Sequence, residues 1–142
     1  MALKFLNKLK MRYLTAVCLF CVFLAGCSVK KYDETKQNDV DFTVLSEEEI
    51  PEQVSEIIET SKTENFRKTY SDKDYLYIII GYGAQPTSSY SIEIQELYES
   101  SDALYITSML KGPSRTEKVL EIETYPYIVV KVQHTDKAVV FQ

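Results

Sequence analysis

Tryptophan is absent from this 142-residue chain, histidine occurs once, and glycine and proline occur four times each. The three cysteines all fall within the first 27 positions. Beyond residue 27 there are therefore no thiols for a disulfide or a cysteine-rich zinc site, and too few Cys and His ligands for zinc at all. A Ser-His-Asp arrangement could use only His134, which stands beside Thr135 and Asp136 in a polar, turn-like stretch. Gly81-x-Gly83 follows an apolar run, but no helical pattern comes after it, so a phosphate-binding loop is not expected. Carboxylates are abundant, yet no pair stands out as an acid/base couple for glycoside chemistry. The composition points to a chain with no cofactor, no metal and no catalytic centre.

Basic residues are also scarce once the start of the chain is set aside. Lys4, Lys8, Lys10 and Arg12 precede an apolar run, Tyr13 to Ala25, that is short for a permanent membrane span. The run ends in Leu24-Ala25-Gly26-Cys27, which resembles the lipobox of bacterial lipoproteins. That resemblance implies a removed signal peptide over 1–26 and a lipid-attachment site at Cys27. It places the protein on the extracytoplasmic side of a membrane in the cell envelope, with the bilayer as its first partner. The 16 Lys and Arg less the four of the leader leave 12 against 21 Asp and Glu, a formal charge of −9. Such a surface is repelled by nucleic acid and by anionic headgroups. With Cys18 and Cys21 removed and Cys27 acylated, a domain outside the cytoplasm must be stabilised by its core alone.

Two further segments follow from patterning. Ser28 to Asp41 is polar and nearly free of apolar residues, so 27–41 reads as lipidated cysteine plus flexible tether, reaching ~20 Å. The folded domain spans 42–142. Phe42, Val44 and Leu45 suit a short strand. Ser46-Glu47-Glu48-Glu49 has a capping residue with glutamate three positions on, and Val54, Ile57 and Ile58 recur at helical spacing. Phe66 to Thr69 suits an extended piece. Tyr75 to Ile80 is an unbroken apolar and aromatic run, as in a strand covered on both faces. Ser91, Glu93 and Gln95 alternate with Ile92 and Ile94, the period-2 pattern of a half-wet strand. The stretch Tyr75 to Glu99 is thus expected to be a central hairpin, with Ile78, Ile80, Ile92 and Ile94 in the core. Ala103 to Leu110, Tyr127 to Gln133 and Ala138 to Phe141 read as further strands, and Val119, Leu120 and Ile122 as a short packed element. The expected fold is α+β: one helix packed on a curved, mainly antiparallel sheet of about five to seven strands.

The run Gly81-Tyr82-Gly83-Ala84-Gln85-Pro86-Thr87-Ser88-Ser89-Tyr90-Ser91-Ile92-Glu93-Ile94 carries a second resemblance. It is similar to the C-terminal domain of PrcB, a family of protease-complex subunits, in which a strand ends in Gly, a loop reads roughly Pro-Thr-Gly-Gly-Tyr, and a strand begins Ser-Ile-x-Ile. Gly112-Pro113 and Thr124 to Val132 resemble the same family's second half. The similarity covers about Phe42 to Phe141 and departs at Ser88-Ser89, where the family has two glycines. It implies an accessory, protein-binding role beside an extracellular protease or protease complex.

Eleven tyrosines offer apolar area with a polar tip, equally suited to interfaces and to cross-strand packing. The loop Gly83 to Tyr90 is the expected partner site, with Tyr82 and Tyr90 as anchors and Gln85, Ser88 and Ser89 as polar contacts. Two rival readings stand beside the binding module: a small carboxylate-dependent hydrolase, and a structural envelope lipoprotein.

Overall fold

The computed structural model describes residues 30–142; the expected signal segment and Cys27 lie outside them. Within the described residues the elements run β1 (Asn38–Asp39), β2 (Thr43–Val44), a 3-10 turn (Glu47–Glu49), α1 (Glu52–Ser61), β3 (Asn65–Ser71), β4 (Tyr75–Tyr82), β5 (Ser91–Glu99), β6 (Ala103–Lys111), β7 (Tyr127–Gln133) and β8 (Ala138–Phe141). No described helix is long and apolar enough to cross a membrane.

The strands form two sheets of four, in the orders β2-β7-β4-β3 and β1-β5-β6-β8. Every pairing is antiparallel except β6 with β8, which is parallel. The single curved sheet expected from the sequence is thus two sheets. Nor do β4 and β5 form a hairpin: β4 lies between β3 and β7, while β5 lies between β1 and β6. Both edges of β4 are taken within its own sheet, and the eight residues from Gly83 to Tyr90 exceed the two to five of a tight hairpin loop. They carry the chain from one sheet to the other.

Burial explains the unbroken apolar run. Leu76, Ile78 and Ile80, with Val130 and Val132 of the neighbouring β7, point toward the second sheet, where they meet Leu97 of β5 and Leu104 and Ile106 of β6. Tyr77 and Ile79 point the other way, into a cluster with Val54 and Ile58 of α1, Leu45, Phe66 and Val129. The sheet containing β4 is therefore the central layer, with helix on one side and the outer sheet on the other. Ile78, Ile79 and Ile80 are 0–1% exposed, whereas Ile92 and Ile94 are only half-buried. A register shift between Ile94 and Glu96 inserts Gln95 as a bulge, so that Leu97 rather than Glu96 faces inward.

Helix α1 forms where the expected stripe lies, with Val54 and Ile58 buried. Before it, the Ser46 N–H and hydroxyl both donate to the Glu49 carboxylate, at 3.0 and 2.8 Å. These bonds hold Glu49 below its ordinary carboxylate range.

Part of the stretch expected to be a flexible tether lies against the domain. Asn38 and Asp39 pair with Glu99 and Tyr98, Gln37 N–H donates to the Glu99 carbonyl at 2.8 Å, and Val40 packs on the core between the sheets. On the outer face, Tyr98 and Tyr105 stack with ring centroids 5.0 Å apart, and Tyr32 packs against them. Apolar residues are few here, but backbone pairing along the β5 edge and these two rings order the segment.

Candidate functional site

The loop expected to receive a partner is bound to another part of the same chain. Gln85 and Thr124 exchange backbone hydrogen bonds of 2.8 and 3.0 Å, forming an isolated bridge. Ser88 N–H donates to the Leu120 carbonyl at 3.0 Å, and Leu120 N–H donates to Ser88 Oγ at 2.9 Å. Thr124 Oγ1 donates to the Thr87 carbonyl at 2.8 Å. The Gln85 side-chain amide caps its own strand end, donating to the Tyr82 carbonyl at 2.9 Å. Residues 85–88 thus serve as a backing strip for 120–124, the last part of the long connection between β6 and β7.

Each expected contact residue can now be placed. Tyr82 points into the sandwich, where its hydroxyl lies 3.0 Å from both the carbonyl and Oγ of Ser108 on the outer sheet. It joins the two layers and is not free as an anchor. Tyr90 is half-buried with its ring against Gly112, close enough that a Cβ there would lie 3.2 Å from Cε1. Gln85 and Ser88 are engaged as described. Ser89 is exposed and takes φ 68°, the left-handed region, at the second glycine position of the Pro-Thr-Gly-Gly-Tyr pattern. Gly83 also has positive φ, 69°, and a Cβ there would meet the Glu64 and Asn65 backbone at 3.1–3.2 Å. The loop keeps the backbone shape that glycine would favour, with serine at one of the two turning points.

The large apolar side chains that the pair of loops presents to solvent are Leu120 and Ile122, 64% and 52% exposed. The alternation Leu120-Glu121-Ile122-Glu123 resembles a strand with its apolar side inward, so nothing in the pattern signals that these two face water. The fifteen residues between Lys111 and Tyr127 form no regular element beyond the Thr124 bridge. Ordered connections of that length are usually functional.

Beyond Thr124 the chain borders a shallow groove of about 380 Å³, walled by Tyr125 to Val129 on one side and Val44 to Glu47 with Ile50 on the other. Tyr127 donates its hydroxyl across it to Glu47 Oε1 at 3.4 Å, and burial pushes that phenol above its ordinary value. The Tyr125 hydroxyl donates to Glu123, which raises the Tyr125 value. Lys62 Nζ stands 5.8 Å from the Tyr125 ring centroid.

The structure also gathers a serine and an aspartate around His134. Ser71 Oγ is 3.0 Å from Nδ1, and Asp136 Oδ1 is 3.6 Å from Nε2. Asp136 is fully solvated, and a carboxylate at that distance in water neither orients nor polarises an imidazole strongly. Ser71 Oγ also reaches the Tyr75 carbonyl at 3.4 Å, as a residue closing the β3–β4 turn would. Among the described residues, no group of three or more His, Cys, Asp or Glu is placed to hold a metal ion.

Residues 76–133 match the family model described as PrcB C-terminal. The matched span runs from β4 through β7 and includes both loops of the candidate site. No curated protein and no solved structure matches the chain.

Proposed function

We propose that this protein is a membrane-anchored, extracytoplasmic lipoprotein that acts as a non-catalytic accessory module, binding a protein of a protease complex through the end of the sandwich formed by 83–90 and 112–126. The observation that carries the reading is the exposure of Leu120 and Ile122 on a connection held in place by a second loop. Ordered apolar side chains on a rigid platform are the usual material of a protein interface. The match over 76–133 supports a protease-complex setting, and the lipobox ending at Cys27 supports lipid attachment. Acyl chains at Cys27 would hold the domain at the membrane without a basic face.

The test is affinity capture of the full-length protein from membranes, with identification of what accompanies it. A protease or protease-complex subunit should be recovered with the wild type and lost with Leu120→Asp/Ile122→Asp, at an unchanged melting temperature. Recovery of the same protein by both would move the site elsewhere. Cys27→Ala should release the protein from the membrane fraction; retention after a salt wash would contradict lipid anchoring.

A further inference from the structure

Resting on that reading of the platform, the edge of the central sheet defines the chemistry of what docks there. β2 covers β7 only at Val130 and Lys131, with Leu45 N–H reaching the Val129 carbonyl at 3.0 Å. At Ser46 the chain turns away into the 3-10 turn, and among the described residues the edge beyond Val129 has no neighbouring strand. That edge continues backwards past Pro126. Leu120 and Thr124 direct N–H and C=O to the 85–88 side, and the Pro126 carbonyl accepts from Tyr82 N–H at 3.2 Å. In extended chain successive residues address opposite edges. The backbone groups of Glu121, Glu123, Tyr125 and Tyr127 accordingly address the open side, and the missing N–H of Pro126 falls on the closed one.

The side chains along this edge divide by the same alternation. Ile128 packs into the core between the sheets and Tyr127 into the cluster with the helix. Tyr125, under Lys62 at the end of α1, and Glu123, which accepts from the Tyr125 hydroxyl, continue the helix side. By the same alternation Glu121 falls with them, and Leu120 and Ile122 fall on the opposite, exposed side. From Asp41 to Glu59 every charged residue is acidic and exposed: Asp41, Glu47, Glu48, Glu49, Glu52, Glu56 and Glu59. Of the lysines on the helix side, Lys62 is engaged with Glu59 at 2.6 Å and over the Tyr125 ring, and Lys131 over the Tyr75 ring.

We infer that the open edge from Glu121 to Tyr127 receives an extended segment of the protein partner in which basic and apolar side chains alternate, added to the central sheet in line with β2. Backbone pairing would supply affinity, as in strand addition generally. Apolar side chains would lie beside Leu120 and Ile122, and the alternate lysines or arginines would lie over Glu121, Glu123 and the acidic rim. An acidic segment would meet like charge over most of the helix side, where Lys62 is already paired with Glu59.

The experiment uses the full-length protein in detergent micelles and four fluorescein-labelled peptides: acetyl-Lys-Val-Lys-Val-Lys-Val-amide, its Glu-Val counterpart, and the Lys-Val peptide N-methylated on alternate residues in each of the two registers. Fluorescence anisotropy should show the basic peptide binding about tenfold more tightly than the acidic one. Either N-methylated register that blocks the paired edge should remove the binding. Glu121→Lys/Glu123→Lys should reverse the preference without shifting the melt. Equal affinity for both charges, no binding by either, or full binding by N-methylated peptides in both registers would overturn the inference. Loss of the basic-peptide preference with partner capture still dependent on Leu120 and Ile122 would leave the platform reading standing. Peptide preference with no protease-complex capture would do the reverse.

Discussion

Thr124 donates its side-chain hydroxyl to the Thr87 carbonyl at 2.8 Å, joining two loops that lie 37 residues apart in the chain. With the Gln85–Thr124 and Ser88–Leu120 backbone bonds, this contact decides which residues of the platform face outward.

Replacing Thr124 by valine keeps shape and removes the donor. It should cost ~1 kcal/mol and, more tellingly, accelerate amide exchange at Gln85, Ser88 and Leu120 while leaving β4 protected. Uniform protection across both loops would show that they hold their places independently.

Gly81 sits opposite Phe66 in the β3–β4 pair, and a Cβ on it would lie 2.1 Å from Phe66 Cε1. Gly81→Ala should therefore destabilise by about 1–3 kcal/mol through displacement of the ring. Adding Phe66→Leu should make the two losses less than additive. Additive losses in urea denaturation would place the cost of the alanine elsewhere.

Ser89 carries a left-handed backbone without glycine's freedom. Ser89→Gly should raise stability by up to ~1 kcal/mol, the relief of strain being partly offset by greater freedom of the unfolded chain. A loss of stability would mean that the serine side chain contributes something its exposure does not suggest.

How much was legible in the sequence can be traced residue by residue. The Tyr75–Ile80 run announced a strand buried on both faces because every position is apolar or aromatic, and Val54, Ile57 and Ile58 announced the helix. The alternation of Ile92 and Ile94 with polar residues announces a strand but not its bulge at Gln95, which shifts the inward phase to Leu97. Pairing was not legible: strand periodicity gives faces but not neighbours, so β4 and β5 read as a hairpin although they belong to different sheets. The contacts made by the loop from Gly83 to Tyr90 were not legible for a related reason. Polar loop residues look free in a sequence, whereas Gln85 and Ser88 are tied to residues 32 or more positions away. Leu120 and Ile122 look buried because they alternate with glutamates, but they lie on a connection outside both sheets and are exposed.

Acid should unfold the domain through carboxylates that are hydrogen-bonded when folded. Asp72 accepts from the N–H groups of Tyr75 and Asp74, at 2.7 and 2.8 Å, and from the Tyr77 hydroxyl. Chiefly through the Tyr75 bond, its value lies below the ordinary 3.8. Glu99 is likewise held below 4.5, first by its bond from Lys137. Because folding depresses both values, their contribution is complete above the ordinary values and is lost as pH falls through the lowered ones. Melting temperature should be nearly level from about pH 7 to about pH 5 and fall below about pH 4. Asp72→Asn should lower stability at neutral pH and flatten the acid limb. An unaltered acid limb would remove Asp72 from the account.

The most direct measurement of the central claim is site-specific photo-crosslinking in intact cells, with the photoreactive residue placed at Ile122 in one strain and at Arg67, on the far edge strand β3, in another. The account predicts a crosslink from Ile122 to a subunit of a protease complex and none to that protein from Arg67. A crosslink from Arg67 alone, or none from either position, would contradict it.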